Sequence, residues 1–376
     1  MATPTRSAKH SEVLVLGSGL SGLLTAEAYR QAGRQVTLLE ASDRSGGTHR
    51  PLTTPLGSLP PDLGFLPNIA GAEARLLWLG HLLRLDLNPV AIELGPLHFD
   101  EGLMRPFVGF GDRTFGSRDE VDFYTAPQRF ETSLSLTDVT LSLTQSLAPF
   151  ALTRKQVTKL IVQEKRLAAV EVNGEETWTA DTVVATQSPS ELLELLPIDA
   201  IEGRHRTRLA KASVWGSVSL HLLHKHPVAM ERGVHVLYGS GQESEPVLGR
   251  FWPTQENGQQ ISVWLTLVPQ ESNEDTDYMG HALKHLKRQL KRAYPHVLED
   301  LAEEKLVVLS ESHGHVELKT KNPLCLPEIE NLILANPLFS QFRGPLAAVD
   351  VAMKIAAPEL EQSPTAQTLL HSPPVT

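Results

Sequence analysis

With 376 residues, the chain is long enough for two domains or one large composite one. Its 41% hydrophobic and 21% charged content is that of an ordinary globular protein, and a net charge of −10 argues against nucleic acid as a partner, which would call for a basic face. A single cysteine, Cys325, excludes an internal disulfide framework, a multi-cysteine metal site and an iron–sulfur cluster, and fits a reducing, cytoplasmic setting.

Residues 1–10 are polar and lack the apolar core of a signal peptide. No run of about 18 or more apolar residues occurs, so no integral membrane segment is expected. The first structured unit is then VLVLGSGLSGLLTAEAYRQAGRQVTLLE, from Val13 to Glu40. Val13 to Leu16 predicts a buried strand. Gly17, Gly19 and Gly22 follow in G-x-G-x-x-G spacing. Leu20, Leu23, Leu24 and Ala28 then share one face of a helix over Leu20–Gln31, with Gly33 as its stop. Val36–Leu39 is a second strand, closed by Glu40. Gly17 permits the tight turn, Gly19 lets the backbone approach a pyrophosphate, and Gly22 lets the helix pack near the sheet. The N–H groups of the first helical turn face the phosphates. Glu40 is placed to accept hydrogen bonds from a ribose. The pattern predicts a dinucleotide site.

The next residues, Ala41-Ser42-Asp43-Arg44-Ser45-Gly46-Gly47-Thr48, complete a stretch that resembles the E-x-x-x-R-x-G-G segment of the flavin-containing amine oxidase superfamily. That superfamily includes monoamine oxidases, protoporphyrinogen oxidases and phytoene desaturases. The resemblance implies FAD as cofactor, with Arg44, Gly46 and Gly47 along the pyrophosphate and ribityl chain. It implies a contact set of Gly17, Ser18, Gly19, Leu20, Ser21, Gly22, Glu40, Ala41, Arg44, Gly46, Gly47 and Thr48.

Leu52–Asn68 is proline-rich and reads as a loop or extended connection, within which Asp62-Leu63-Gly64 resembles the superfamily's F-D-x-G element. Ala72–Leu87 carries Leu76, Leu79, Leu83 and Leu87 in register, which predicts an amphipathic helix packed in the second domain. His98–Gly111 suggests a hairpin and loop. Arg118–Phe150 offers no clear periodicity. Val157–Asn173 predicts two strands around Lys165-Arg166, Thr177–Ala180 continues the meander, and Asp181–Thr186 returns as a buried strand. This block resembles the family's second nucleotide block, in which the backbone of Val157 would lie beside the adenine. Ser188-Pro189 starts a helix through Leu196.

Strands are expected over Ser213–Leu222, Arg250–Pro253, Ile261–Val268 and Leu306–Leu309, the third with one covered face. Tyr278–Tyr294 is a helix with a basic, solvated face. Gly239-Ser240-Gly241 reads as a turn. Pro327–Ala335 resembles the P-x-I-x-N-L-x-L-A-G-D segment, with Asn336 and Pro337 in place of its Gly-Asp; Asn336 joins the implied contact set. Gly344–Ala356 resembles the helix whose N-terminus points at the flavin. From Pro358 the composition predicts a mobile tail.

The pairs His224-x-His226 and His313-x-His315 lack convergent further ligands, so no metal site is expected. Spacing names no catalytic residue; Phe339 and Phe342 are candidates for a pocket wall or for core. The expected architecture is α/β: a discontinuous Rossmann-like FAD-binding domain (11–62, 150–212 and 325–357) with an inserted α+β substrate domain containing a mixed sheet (63–149 and 213–324), and a tail over 358–376. The implied function is an FAD-dependent oxidoreductase moving hydride from a small organic substrate, by amine oxidation or C–C desaturation, to the flavin. Two alternatives are a non-catalytic binding protein like the Rab escort and GDP-dissociation inhibitor proteins, which share this fold, and a structural FAD holder.

Overall fold

The computed structural model describes residues 8–238 and 245–362. In chain order the elements are β1 Lys9–Leu16, α1 Leu20–Gln31, β2 Val36–Leu39, β3 Leu52–Thr54, β4 Gly57–Leu59, α2 Ala72–Leu83, β5 Val90–Glu93, β6 Leu97–Asp100 and β7 Leu103–Pro106. There follow α3 Arg118–Tyr124, β8 Gln128–Glu131, α4 Leu136–Ser146, β9 Ala151–Leu152, β10 Val157–Gln163, β11 Arg166–Val172, β12 Glu176–Ala185, α5 Pro189–Leu195 and α6 Gly203–Ala210. The last third holds β13 Ser213–His224, β14 His235–Leu237, β15 Val247–Phe251, β16 Gln260–Pro269, α7 Thr276–Ala293, β17 Leu301–His315, β18 Leu332–Leu334 and α8 Gly344–Gln362.

Two seven-stranded sheets organise the molecule. In the first, β1 is central and pairs in parallel with β12 and β2, with Val13 opposite both Thr182 and Val36. The long β12 has two partners along one edge. Its first half pairs antiparallel with β11, and its second half pairs in parallel with β18. Asn331 sits where these partners diverge. Its Oδ1 accepts from Leu167 N at 2.7 Å and its Nδ2 donates to Leu167 O at 3.1 Å, all of it buried. Asn331→Ala strands both backbone groups, so a loss of about 2–3 kcal/mol is expected in urea unfolding; a loss below about 0.5 kcal/mol would contradict this account.

The glycine turn and α1 form as the sequence predicts. Gly19 caps α1 in an extended conformation, and Gly33 ends it with φ +83°. The inward face of α1 packs against α8, and all the apolar residues of β1 from Val13 to Leu16 are fully buried. Here one expectation is corrected. Helix α2 packs on α8, inside the core of the first sheet, and not in the second domain. Leucine periodicity specifies that a helix is covered but not by what. Arg84, in the left-handed conformation, ends α2 earlier than the pattern implies, and Leu87 is buried beyond it. Helix α4, in the stretch without clear periodicity, packs on α1 and starts from a Ser135/Asp138 capping box.

The second sheet runs β17-β13-β16-β15-β14-β6-β7 and is mixed, because β14 pairs in parallel with β6 while the other pairs are antiparallel. The expected single covered face of β16 is also corrected. Val263, Leu265 and Leu267 pack with Phe65, Phe110 and Tyr124 on one side, and Trp264 packs with Leu286 and Leu290 of α7 on the other. Alternating leucines and valines therefore mark one face here, while Trp264, Thr266 and Ser262 fill the second. Leu52–Leu59, within the stretch read as a loop or extended connection, is extended and pairs into a short hairpin, and the helix α8 continues through Pro358 to Gln362, where the tail was expected to begin. The rest of that tail, and the turn at Gly239-Ser240-Gly241, lie outside the described residues. Among the described residues, no helix is long and apolar enough to cross a membrane.

Candidate functional site

The C-terminal ends of β1, β2 and β12 open onto a cleft of about 560 Å³, whose opposite wall is the end of β17 and the start of α8. This is the crevice at the carboxyl ends of parallel strands where α/β sheets bind ligands. The glycine turn forms its floor. A Cβ placed on Gly22 would overlap the carbonyl oxygen of Gly17, so only glycine allows this closeness of turn and helix. A Cβ placed on Gly19 would meet nothing and would stand free at the cleft. That open cradle is what an approaching phosphate needs.

Glu40 stands beside this turn. One carboxylate oxygen accepts from Ser18 N at 2.9 Å and Ser18 Oγ at 2.7 Å, and the other accepts from Ser42 N at 2.9 Å. Burial pushes its pKa up, but these hydrogen bonds more than offset that and hold the carboxyl below its usual range. Glu40 is therefore an ionised acceptor. The Gly46-Gly47 segment is zipped to the turn: Gly46 N donates to Ser18 O at 2.8 Å, and a Cβ on Gly47 would come within 2.9 Å of Gly19 Cα.

Of the residues expected here, Gly17, Gly19, Leu20, Ser21, Glu40, Ala41, Gly47, Thr48, Val157 and Asn336 line the cleft. Ser18, Gly22 and Gly46 lie behind that surface as supports. Arg44 does not line it: its side chain is largely exposed, 3.6 Å from Asp43. Asn336 uses both ends of its amide inside the protein, donating to Thr186 O at 2.8 Å and accepting from Leu338 N at 2.9 Å. With Pro337 following, this segment supplies no carboxylate to the cleft. Phe342 lines the cleft, whereas Phe339 is core.

The far end of the cleft holds residues that no spacing motif indicates. Tyr124 Oη and His313 Nε2 share a hydrogen bond at 3.1 Å, and Ser312 Oγ lies 2.8 Å from His313 Nδ1. Burial and the neighbouring Arg343 charge push His313 down to about 4. Burial, then the charges of Asp62 and Glu120, push the Tyr124 phenol up, so both groups are neutral near pH 7. Asp62 also lines this end, and its Oδ1 accepts from Gly64 N at 2.7 Å. Arg343 donates to Glu120 at 2.6 Å. Two acceptor oxygens on cleft residues, Gln187 Oε1 and Glu311 Oε2, are buried without a partner.

The two histidine pairs serve other ends. His224 bonds Ser262 in the core, and His315 bonds the Ser340 carbonyl. A different group, Glu202, His205 and Glu328, brings its ligand-type atoms within 4.8 Å, but Glu328 there caps the start of α6 by accepting from Glu202 N.

Residues 15–64 match the NAD(P)-binding Rossmann-like domain family. Over 46 residues the chain is 50% identical to the L-amino acid oxidase Lm29 of Lachesis muta, and over 43 residues 51% identical to YobN of Bacillus subtilis, also named for L-amino-acid oxidase. These matches span 12% and 11% of this chain but only 8% and 9% of those relatives' lengths. Similarity of the whole fold is far broader. A redesigned putrescine oxidase superposes with a TM-score of 0.69 at 13% identity, covering 95% of this chain and all of that one. The chain has the fold of the FAD-dependent amine oxidases. Cyclohexylamine oxidase from Brevibacterium oxydans gives a TM-score of 0.63 at 14% identity, over 96% of this chain and 100% of its own. The amine oxidase fold thus holds across both sheets, while sequence similarity is concentrated in the glycine turn and its sequel.

Proposed function

We propose that the protein is an FAD-dependent oxidoreductase acting on a small organic substrate by removal of hydride. The observation that carries this reading is the ionised Glu40 beside an open glycine cradle, at one end of a cleft long enough to reach a polar wall at the other. The N–H groups of the turn and of the first turn of α1 would hold the pyrophosphate, and Glu40 a ribose. Val157 would border the adenine through its backbone. The start of α8 would face the flavin end, where its dipole favours negative charge. The chemistry that FAD supplies when bound is acceptance of hydride. The protein's own part is to bind and orient, and to exclude water with Pro61, Leu309 and Phe342.

In this reading the segments 11–62, 150–212 and 325–357 carry the cofactor, with α2 and α4 as added cover. The second sheet and the remainder of 63–149 and 213–324 carry the substrate side. The oxidase names of the structural neighbours favour a catalyst over a non-catalytic binding protein.

The test is the purified protein itself. Visible flavin absorbance that co-elutes with stoichiometric FAD is the expected result, and colourless protein that takes up no added FAD overturns the proposal. Anaerobic bleaching during a substrate screen then separates a catalyst from a structural holder. Glu40→Ala removes the ribose acceptor and frees the Ser18 turn; FAD affinity is expected to fall by about tenfold or more, read by fluorescence titration.

A further inference from the structure

The cleft does not end at Tyr124 and His313. Behind them lies a second cavity of about 40 Å³. Pro61, Asp62, Tyr124, Leu309 and His313 line both spaces, so they form the threshold between them. Its inner lining includes Leu63, Phe65 and, from β16, Val263 and Leu265, all members of one apolar cluster.

The polar groups of this cavity are mostly satisfied from within. Ser219 Oγ lies 2.9 Å from His221 Nε2 and 3.3 Å from Val307 O, and Ser217 Oγ lies 3.3 Å from Ser312 Oγ. Among the described residues, no lysine or arginine lines it. Two groups at the threshold keep hydrogen-bonding capacity. Tyr124 Oη has one partner where a phenol can serve two or more, and Asp62 Oδ2 lies 3.9 Å from His49 Nε2, whose pKa burial lowers, so that the imidazole is neutral near pH 7. The cavity is therefore apolar inside, polar at its mouth, and small. One water-sized probe needs roughly 10–15 Å³ of such space, so the cavity takes roughly three heavy atoms.

We propose that this cavity is a substrate subsite that receives a short apolar substituent of two or three carbons, while Tyr124, oriented by His313, hydrogen-bonds the polar group next to the reacting carbon. This rests on the oxidoreductase reading above and adds a length limit to it. Ser312 fixes the far side of the His313 ring, so the Tyr124 hydroxyl is held in place. An α-carboxylate finds no cation among the described residues of the cavity; at its mouth the Arg343 charge is already committed to Glu120 while Asp62 keeps an oxygen free, so substrates with a carboxylate at that end are disfavoured.

The test uses flavin-loaded protein and straight-chain primary amines and alcohols from methyl to hexyl, read by ligand-induced thermal shift and by perturbation of the flavin spectrum. Affinity is expected to rise to about the three-carbon member and then to drop by about tenfold per added methylene, as expected of a closed apolar pocket. Val263→Ala is expected to move that limit outward by about one carbon. Tyr124→Phe is expected to weaken every member by about tenfold without moving the limit. Absence of a length limit, a limit unmoved by Val263→Ala, or no response to any member overturns the subsite while FAD binding stands. Protein that takes up no FAD removes the underlying reading instead.

Discussion

Gly19→Val is expected to leave the protein folded and unable to retain FAD, whereas Gly22→Val is expected not to fold stably. The two glycines are three residues apart in one motif, and their surroundings give them opposite sensitivities. Gly19 has φ −68° and ψ 176°, a conformation valine adopts freely, and an added side chain there meets no protein atom within 4 Å. The cost is that of a poor helix cap, about 1 kcal/mol. The new methyl groups would instead occupy the floor of the cleft. At Gly22 the added Cβ overlaps the Gly17 carbonyl and comes within 3.3 Å of Thr186 Cγ2. Neither the backbone of a tight turn nor a strand end can yield, so about 3 kcal/mol or more is lost. Thermal unfolding and FAD titration of both variants check this. A Gly19→Val protein that binds FAD like the parent would show that no phosphate approaches that turn.

Asp350→Ala is expected to cost about 3–5 kcal/mol, the largest effect of any change away from the cleft. Asp350 is fully buried and accepts from Arg75 at 2.8 and 3.0 Å, from Ser340 Oγ at 2.7 Å and from Lys354 at 2.7 Å. One carboxylate thus ties α2, α8 and the loop before α8 together. Its removal strands the Arg75 guanidinium between Phe342 and the Gly71 carbonyl. Burial raises the Asp350 pKa, but the bonds from Lys354, Ser340 and Arg75 outweigh it and leave the pKa depressed. A carboxylate with a depressed folded pKa stabilises above its unfolded value, near 3.9, and loses that contribution as pH falls through the folded value. The gap between parent and variant in urea unfolding is therefore expected to be full at pH 6 and to shrink below about pH 4. A gap that is constant with pH would refute the ion-pair account.

A separate acid sensitivity precedes that one. Burial holds His224, His235 and His313 at about 4 in the fold. Each takes up a proton on unfolding near its ordinary value of about 6.5, so stability is lost as pH falls from about 6.5 toward 4. Parent and Asp350→Ala share this slope, which lets the two windows be told apart.

How much of this was readable in the chain follows from the range of the interactions involved. The turn, α1, β2 and Glu40 are local in sequence, and their glycine spacing encodes the geometry directly. The meander β10–β12 was equally legible, since its turns fall at Lys165 and Asn173, both at positive φ. The destination of α2 was not, because Leu76 and Leu79 look the same against any apolar surface. Helix α4 carried a readable signal, Ser135 with Asp138 three residues on, in a stretch whose helices are short. The Tyr124–His313 pair had none. Its members lie 189 residues apart, and only the docking of α3 against the end of β17 brings them together.

Strand β17 has a mechanical consequence. Over fifteen residues it runs beside β13, and its later part, Leu309–His313, lines the cleft where the pairing shifts register. Immediately after, His315 and Val316 bond the loop at Ser340 and Leu338 that leads into α8. One continuous piece of backbone thus acts as a strut joining the substrate wall to the cofactor wall. The two walls cannot swing apart without tearing this strut from β13 or from the loop that leads into α8. Access to the inner chamber then depends on side-chain rotation at the threshold, not on hinge opening. Strand β17 is an edge strand whose pairing with β13 shifts register beside the cleft, so the amides of Leu309–His315 are expected to exchange faster than those of the central, fully buried strand β1.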